Sequence, residues 1–319
     1  MRPGFGLAAE PGPPFVLERT IPLAGVSGRI DHMAVDLRRG RLLVAELGNG
    51  TVDAIDLVAG KVVHRVGGLR EPQGVGYAPQ VDLVAVASAG DGSVRLFRAE
   101  DLSPAGVVAL GEDADNVRLD PRAGRFVVGY ASGGLAVLDP ATQSVVGRVA
   151  LPAHPESFQL DPNTGRAFVN VPDAEQVAVV DLAAGKQVAS WRVPGGLRQN
   201  FPMALDGTGA VLATVFRTPV RLVLLDTRNG AVMASLPTCG DADDVFFDAK
   251  RRRLYVSCGE GAVDVLQGDA GGYRPLARVP TRPGARTSLF MPELDRLFVA
   301  ARTGPAGADA AVLVFRPGP

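Results

Sequence analysis

Arg41–Val63 reads RLLVAELGNGTVDAIDLVAGKVV. It contains an apolar strand, a Gly/Asn loop, a second strand ending in Asp56, and a turn closed by Gly60 before a further strand begins. The first segment, Arg41–Ala45, recurs. Its copies begin at Asp82, Arg125, Arg166, Ala210, Arg253 and Arg296, at intervals of 41, 43, 41, 44, 43 and 43 residues. Thr51–Asp56 recurs with it, as Ser93–Arg98, Leu135–Asp139, Gln176–Asp181, Arg221–Asp226, Ala262–Gln267 and Ala311–Phe315. Four of these copies end in Asp, and in three a Gly follows four residues on (Gly60, Gly185 and Gly230). An Asp that caps a turn and a Gly that takes positive φ make a tight connection, so these Asp residues are read as structural. The small differences in spacing fall in turns, where added length costs little.

Each repeat also carries an apolar strand before its Arg41-type segment and a last strand after its Thr51-type segment. Four short strands per repeat, with no helical periodicity, predict an all-β, seven-bladed β-propeller with four antiparallel strands per blade. The chain stops after a third strand, Ala311–Phe315, and begins with an orphan strand, Phe15–Pro22, that reads like a fourth. The N-terminal strand is therefore expected to complete the last blade and to hide an edge that would otherwise invite aggregation. One propeller domain is expected over residues 14–316. Before it, Met1–Pro13 is rich in Gly and Pro and lacks an apolar run long enough for the centre of a signal peptide. It reads either as a flexible leader or as the remainder of a removed signal.

Three stretches carry a resemblance to a known family: RLLVAELGNGTVDAIDLVAGKVV at 41–63, RAFVNVPDAEQVAVVDLAAGKQV at 166–188 and RLYVSCGEGAVDV at 253–265. They resemble the YVTN-type, YncE-like seven-bladed propellers of bacteria, over residues 15 to 316. The resemblance implies the fold. It fixes no activity, because propellers carry many unrelated functions. Other propeller types are excluded. There is no regular Trp-Asp ending, the one tryptophan is Trp191, and no Cys-x-x-Cys-His is present for covalent haem.

The formal net charge is −1, so nothing draws the chain generally to nucleic acid or to an anionic membrane. The run Lys250–Arg253 (KRRR) falls on a turn between two strands and reads as solvated rather than as a nucleic-acid stripe. No run of apolar residues is long enough to span a bilayer, and a monomer is expected.

Aligning the innermost strands places the same positions of each blade at the mouth of the central channel. Blade one contributes Arg29, Asp31 and His32; blade two Arg70, Glu71 and Gln73; blade three Asp113, Asp115 and Asn116; blade four His154, Glu156 and Ser157. Blade five contributes Arg198, Gln199 and Asn200; blade six Asp241, Asp243 and Asp244; blade seven Arg282, Arg286 and Thr287. Right behind them the strands turn apolar, as at Met33, Val75, Val117, Phe158, Val245 and Leu289. A polar funnel on an apolar scaffold describes a binding site. It also describes the wet entrance of any propeller channel. Arginines come from blades one, two, five and seven and most carboxylates from three, four and six, which suits a small polar or zwitterionic molecule. The expected ligand-binding residues are Arg29, Asp31, Arg70, Gln73, Asn116, Glu156, Arg198, Asn200 and Arg286.

Two narrower readings remain open. Asp115, Asn116, Glu156, Asp243, Asp244 and His32 are hard ligands around one axis that suit Ca²⁺ or Mg²⁺, similar in kind to the gluconolactonase-type propellers. Alternatively, His32 beside Asp31 and His154 beside Glu156 form an acid–base pair. Cys239 and Cys258 flank antiparallel neighbours of blade six. A turn centred on residues 250–251 brings them near enough for a disulfide, worth roughly 3 kcal/mol in the chain-entropy model. Such a bond implies an oxidising compartment, periplasmic or secreted; two reduced thiols and a cytoplasmic location are the alternative. The function expected is a bacterial envelope protein holding a small polar ligand or a protein partner at the funnel, with a metal-dependent lactonase- or lyase-type enzyme as the rival.

Overall fold

The computed structural model describes residues 12–304 and 307–319. Most of the expected leader, residues 1–11, lies outside them. Seven four-stranded antiparallel sheets succeed one another around a central axis. Blade one shows the pattern, running outward from Met33–Asp36 through Arg41–Glu46 and Thr51–Asp56 to Lys61–Val66. Blade seven is built from both ends of the chain. Ser288–Met291, Arg296–Ala301 and Ala311–Pro317 form its inner three strands, and Phe15–Pro22 pairs outside them with Val16 opposite Arg316 and Ile21 opposite Val312. The N-terminal strand closes the ring as its sequence implied.

The strand sequences follow from what each strand touches. A second strand lies mid-blade, with a neighbouring blade on each face, so it reads as a continuous apolar run. Alternate residues serve alternate neighbours. Leu42 and Val44 face blade seven, packing with Phe298, Ala300 and Val312, while Leu43 and Ala45 face blade two, packing with Val75, Val84 and Val86. The core is accordingly seven clusters, one in each seam between blades. Outermost strands are half exposed and alternate accordingly. In every blade the pairing of third and outermost strands is interrupted by one bulge, for example between Ala54 and Ile55 and between Val137 and Leu138. Phe15–Pro22 carries the same interruption, between Leu17 and Arg19. Bulges sharpen strand twist, which each blade needs to fan out from the axis.

The third-strand Asp residues are structural, as expected. Asp56 accepts the backbone N–H of Val58 and Ala59, and Gly60 closes the turn at φ 66°. The KRRR turn departs from expectation. Arg251 and Arg253 are not solvated. Arg251 forks onto Asp295 of blade seven at 2.7 and 2.8 Å, reaches Asp248, and donates to the carbonyls of Gly318 and Pro317. Arg253 donates to the carbonyls of Gly318 and Pro319. The turn staples blade six to blade seven.

Cys239 and Cys258 form a disulfide with 5.9 Å between their Cα atoms. Asp248 pairs with Arg253 and Asp244 with Ser257, the register that a turn at 250–251 requires. A bulge then leaves Cys239 just beyond the ladder, over Cys258.

Candidate functional site

Each innermost strand runs from the mouth face toward the opposite face, so its first residues converge on the mouth. Arg29, Asp31, His32, Asp115, Asn116, Glu156, Ser157, Phe201 and Asp243 surround a cavity of about 30 Å³ there. All but Phe201 were legible as mouth residues.

Asp115 is the hub. His32 Nε2 stands 3.9 Å from its Oδ1 and His154 Nε2 stands 3.8 Å from its Oδ2. His154 donates from Nδ1 to the Ala131 carbonyl at 2.6 Å. Asp115 and the Ala131 carbonyl favour the imidazolium, and they raise the His154 pKa to about 9 against the opposing effect of burial. The expected pairing of His154 with Glu156 is not found. Its carboxylate neighbours are Asp113, at 3.5 Å, and Asp115, both from blade three. Glu156 is instead left among carboxylates, and burial together with Asp115 pushes it up to about 7. Asp31 is ion-paired to Arg29 at 2.7 Å and lies 3.7 Å from His32. Burial outweighs the opposing pull of His32 and Arg29 and raises it to about 6.

The cationic and acidic arcs expected around the ring turn out to be interleaved. Asp243 is held between Arg217, at 2.6 Å, and Arg286, at 3.0 Å. Arg286 also bonds Asp241 at 2.7 Å, and the Arg217 guanidinium stacks over Phe201, 4.2 Å from the ring centre. Arg217 and Phe201 went unrecognised. The signal for Arg217 was the length of its strand: Val211–Thr218 has eight residues where the other second strands have six.

Five expected ligand residues do not border the cavity, one of them Arg286, which is held by Asp241 and Asp243. Arg70 is exposed and Gln73 half-buried on blade two. Arg198 pairs with Glu175 on the exposed rim. Asn200 is buried in the seam of blades four and five, donating to Asn170 Oδ1 and the Gln176 carbonyl. The expected metal ligands are also dispersed. Asp243 is committed to two guanidinium groups. Asp244 lies below the mouth in the channel, accepting the Ser288 amide at 2.7 Å. Among the described residues no three His, Cys, Asp or Glu side chains form a metal-ligand group.

Two oxygens at the cavity stand out. Asp115 Oδ1 and Asn116 Oδ1 are buried and accept no hydrogen bond. Below them the channel opens into a second cavity of about 400 Å³. In it Arg118 extends from the strand Ala114–Asp120, between Val117 and Leu119, where the sequence implies an apolar wall at Val117. The signal was there: at the same register the other blades carry Ala34, Gly76, Gln159, Ala204, Phe246 and Leu289.

No protein-family model matches this sequence, and no curated protein matches it. Among solved structures the chain is similar to Kuenenia stuttgartiensis hydrazine synthase, at 17% sequence identity and a TM-score of 0.76, over 91% of this chain and 97% of that one. At that identity the likeness shows the propeller fold alone. Among the described residues no helix is long and apolar enough to cross a membrane.

Proposed function

We propose that this chain is an extracytoplasmic propeller that binds a small zwitterion at the mouth of its channel, with the ligand's ammonium group in the acidic cavity. The observation that carries this is the pair of unpartnered acceptors, Asp115 Oδ1 and Asn116 Oδ1, on a cavity of about 30 Å³. A buried acceptor without a donor costs about 1–3 kcal/mol, and more when charged. An ammonium group is a donor of the right size. Asp31 and Glu156 border the same space and favour a cationic donor over water. Arg29, with 41% of its side chain exposed at the rim, is placed to take the ligand's carboxylate. The location outside the cytoplasm rests on the disulfide. The repeated Asp-turn-Gly of the third strands supports a divergent YVTN-type propeller.

A second reading is favoured by the approach of His32, His154 and Glu156 to Asp115. Glu156, with a pKa of about 7, and an imidazolium on the same carboxylate make a base and an acid for lactonase- or lyase-type chemistry. Its Ca²⁺- or Mg²⁺-dependent form needs Asp243, which Arg217 and Arg286 already hold, so the metal-free form fits these residues better.

Thermal unfolding against a panel of free amino acids separates the readings. A true ligand at 100 times its Kd stabilises the fold by about 2.7 kcal/mol. That stabilisation is expected for at least one zwitterion, to be absent for its carboxylate analogue without the ammonium, and to vanish in Asp115→Ala. No stabilisation by any ammonium-bearing compound would sink the binding reading.

A further inference from the structure

The channel below the mouth holds an unpaired charge. Arg118 Nη1 donates to the carbonyl of its own neighbour, Val117, at 3.1 Å, and its Cζ lies 5.9 Å from the centre of the Phe158 ring. Among the described residues the guanidinium has no ion-pair partner. A guanidinium offers five N–H donors, and four remain for a ligand. The carboxyl sharing its cavity, Asp244, is turned to the Ser288 amide. Burial and the neighbouring Asp243 hold Asp244 well above the usual carboxylate range, against the opposing pull of Arg118.

The rest of the cavity is mostly apolar, with His32, Tyr77, Gln159 and Ser288 as its other polar side chains. Val75, Leu119, Leu205, Phe247 and Leu289 wall it, and its volume of about 400 Å³ lies within the range of small-molecule sites. At roughly 30 Å³ per water-sized group it holds about a dozen non-hydrogen atoms. It runs from His32 and Asp244, beneath the mouth, to Met291 and Pro292 at the end of an innermost strand on the opposite face. The mouth end is constricted by the charged cluster around Asp115. A ligand of this size therefore enters from the opposite face, carboxylate first.

We propose that the central channel binds a small monocarboxylate with an apolar body, its carboxylate forked on Arg118 and its body along the strand walls. The planar guanidinium matches a carboxylate at two points. An apolar body lies along the aliphatic and aromatic walls, where Gln159 and Ser288 already donate to the Met203 carbonyl and to Ser257. This site is separate from the mouth site. It takes an anion where the mouth takes an ammonium group, so either reading can fail without the other.

Calorimetric titration with octanoate tests it, with 1-octanol as the uncharged probe. Octanoate is expected to bind one to one and saturably. Arg118→Met is expected to weaken it about 30-fold, the loss of a charge-assisted hydrogen-bonded pair. Ala34→Phe keeps Arg118 but fills the channel from blade one, and is expected to abolish binding. Circular dichroism of both variants reports whether the propeller is intact; if Arg118→Met fails to fold, Ala34→Phe and the octanol comparison carry the test. Three results would overturn the proposal: no saturable octanoate binding to the wild type, undiminished binding to a folded Arg118→Met, or equal affinity for octanol.

Discussion

Glu46 ends the second strand of blade one with none of its surface exposed. Thr51 donates its hydroxyl to Oε2, while Oε1 has no partner. Beside it lies Asp53, gripped by Arg65 through two bonds of 2.6 Å. Burial comes first, and Asp53 adds to it, in raising Glu46 to about 8. At neutral pH Glu46 is therefore a carboxylic acid, able to donate to the Asp53 carboxylate. A carboxyl whose native pKa is raised holds its proton more tightly folded than unfolded. Its stabilisation is complete below its ordinary value near 4.5 and is lost as pH rises through about 8. The fold is expected to lose on the order of 3 kcal/mol from this group between about pH 5 and pH 9. Glu46→Gln keeps an acceptor for Thr51, turns an amide N–H toward Asp53 and carries no titrating proton, so it should flatten that slope. Unfolding by denaturant at several pH values, wild type against variant, is the measurement; parallel slopes would show that Glu46 is ionised. Nothing in the repeat pattern marked this residue. The corresponding strands end in Ser88, Val171 and Cys258, and only the approach of Asp53 across the ladder gives the carboxyl its role.

At the scale of elements, the reading from sequence succeeded where a period governs and failed where one neighbour does. Seven second strands could be placed because every one is sandwiched, and sandwiched strands must be apolar throughout. The switch from polar to apolar along each innermost strand located the mouth for the same reason. Partner choice at the mouth has no period. His154 turns to blade three rather than to Glu156, and Asn200 turns into a seam, because each lies near two blades at once. The KRRR turn is the sharpest instance. Four basic residues in a row look solvated, yet Arg251 has only 11% of its side chain exposed, because Asp295 and the carbonyls of Pro317 and Gly318 meet there. Removing that guanidinium leaves Asp248 without its cation and the Pro317 carbonyl without its Arg donor, and leaves Asp295 and the Gly318 carbonyl to Lys250 and Arg253 alone. Arg251→Met is expected to cost about 3 kcal/mol of stability. The loss should be local, with amide exchange accelerated in Ala311–Pro317 and the seam with blade six. Uniform acceleration across all seven blades would mean that the turn is not a staple.

A ring of blades has no stable open form, and this governs the whole molecule. Each seam buries apolar residues of two blades, so a blade with one seam missing exposes half of its core. Closure depends on Phe15–Pro22, whose Phe15 packs on Tyr255 of blade six and Phe315 of blade seven, at ring separations of 4.6 and 5.9 Å. Without that strand the edge Ala311–Pro317, apolar over five residues, would stand unpaired. Residues brought together from opposite ends of the chain must pay a large loop-closure entropy, so closure comes late in folding and holds only when both ends are present. Deleting residues 1–22 is therefore expected to yield a chain that associates through its exposed edge, seen as high-mass species in size-exclusion chromatography. A synthetic peptide spanning residues 15–22, added during refolding, should pair with that edge and restore the elution position of the full chain. A shorter chain that eluted like the full chain and kept its unfolding midpoint without the peptide would mean that the seams alone hold the ring. The mouth and the channel both lie on the axis, lined by strands from several blades, so loss of closure should abolish the binding proposed at each of them together.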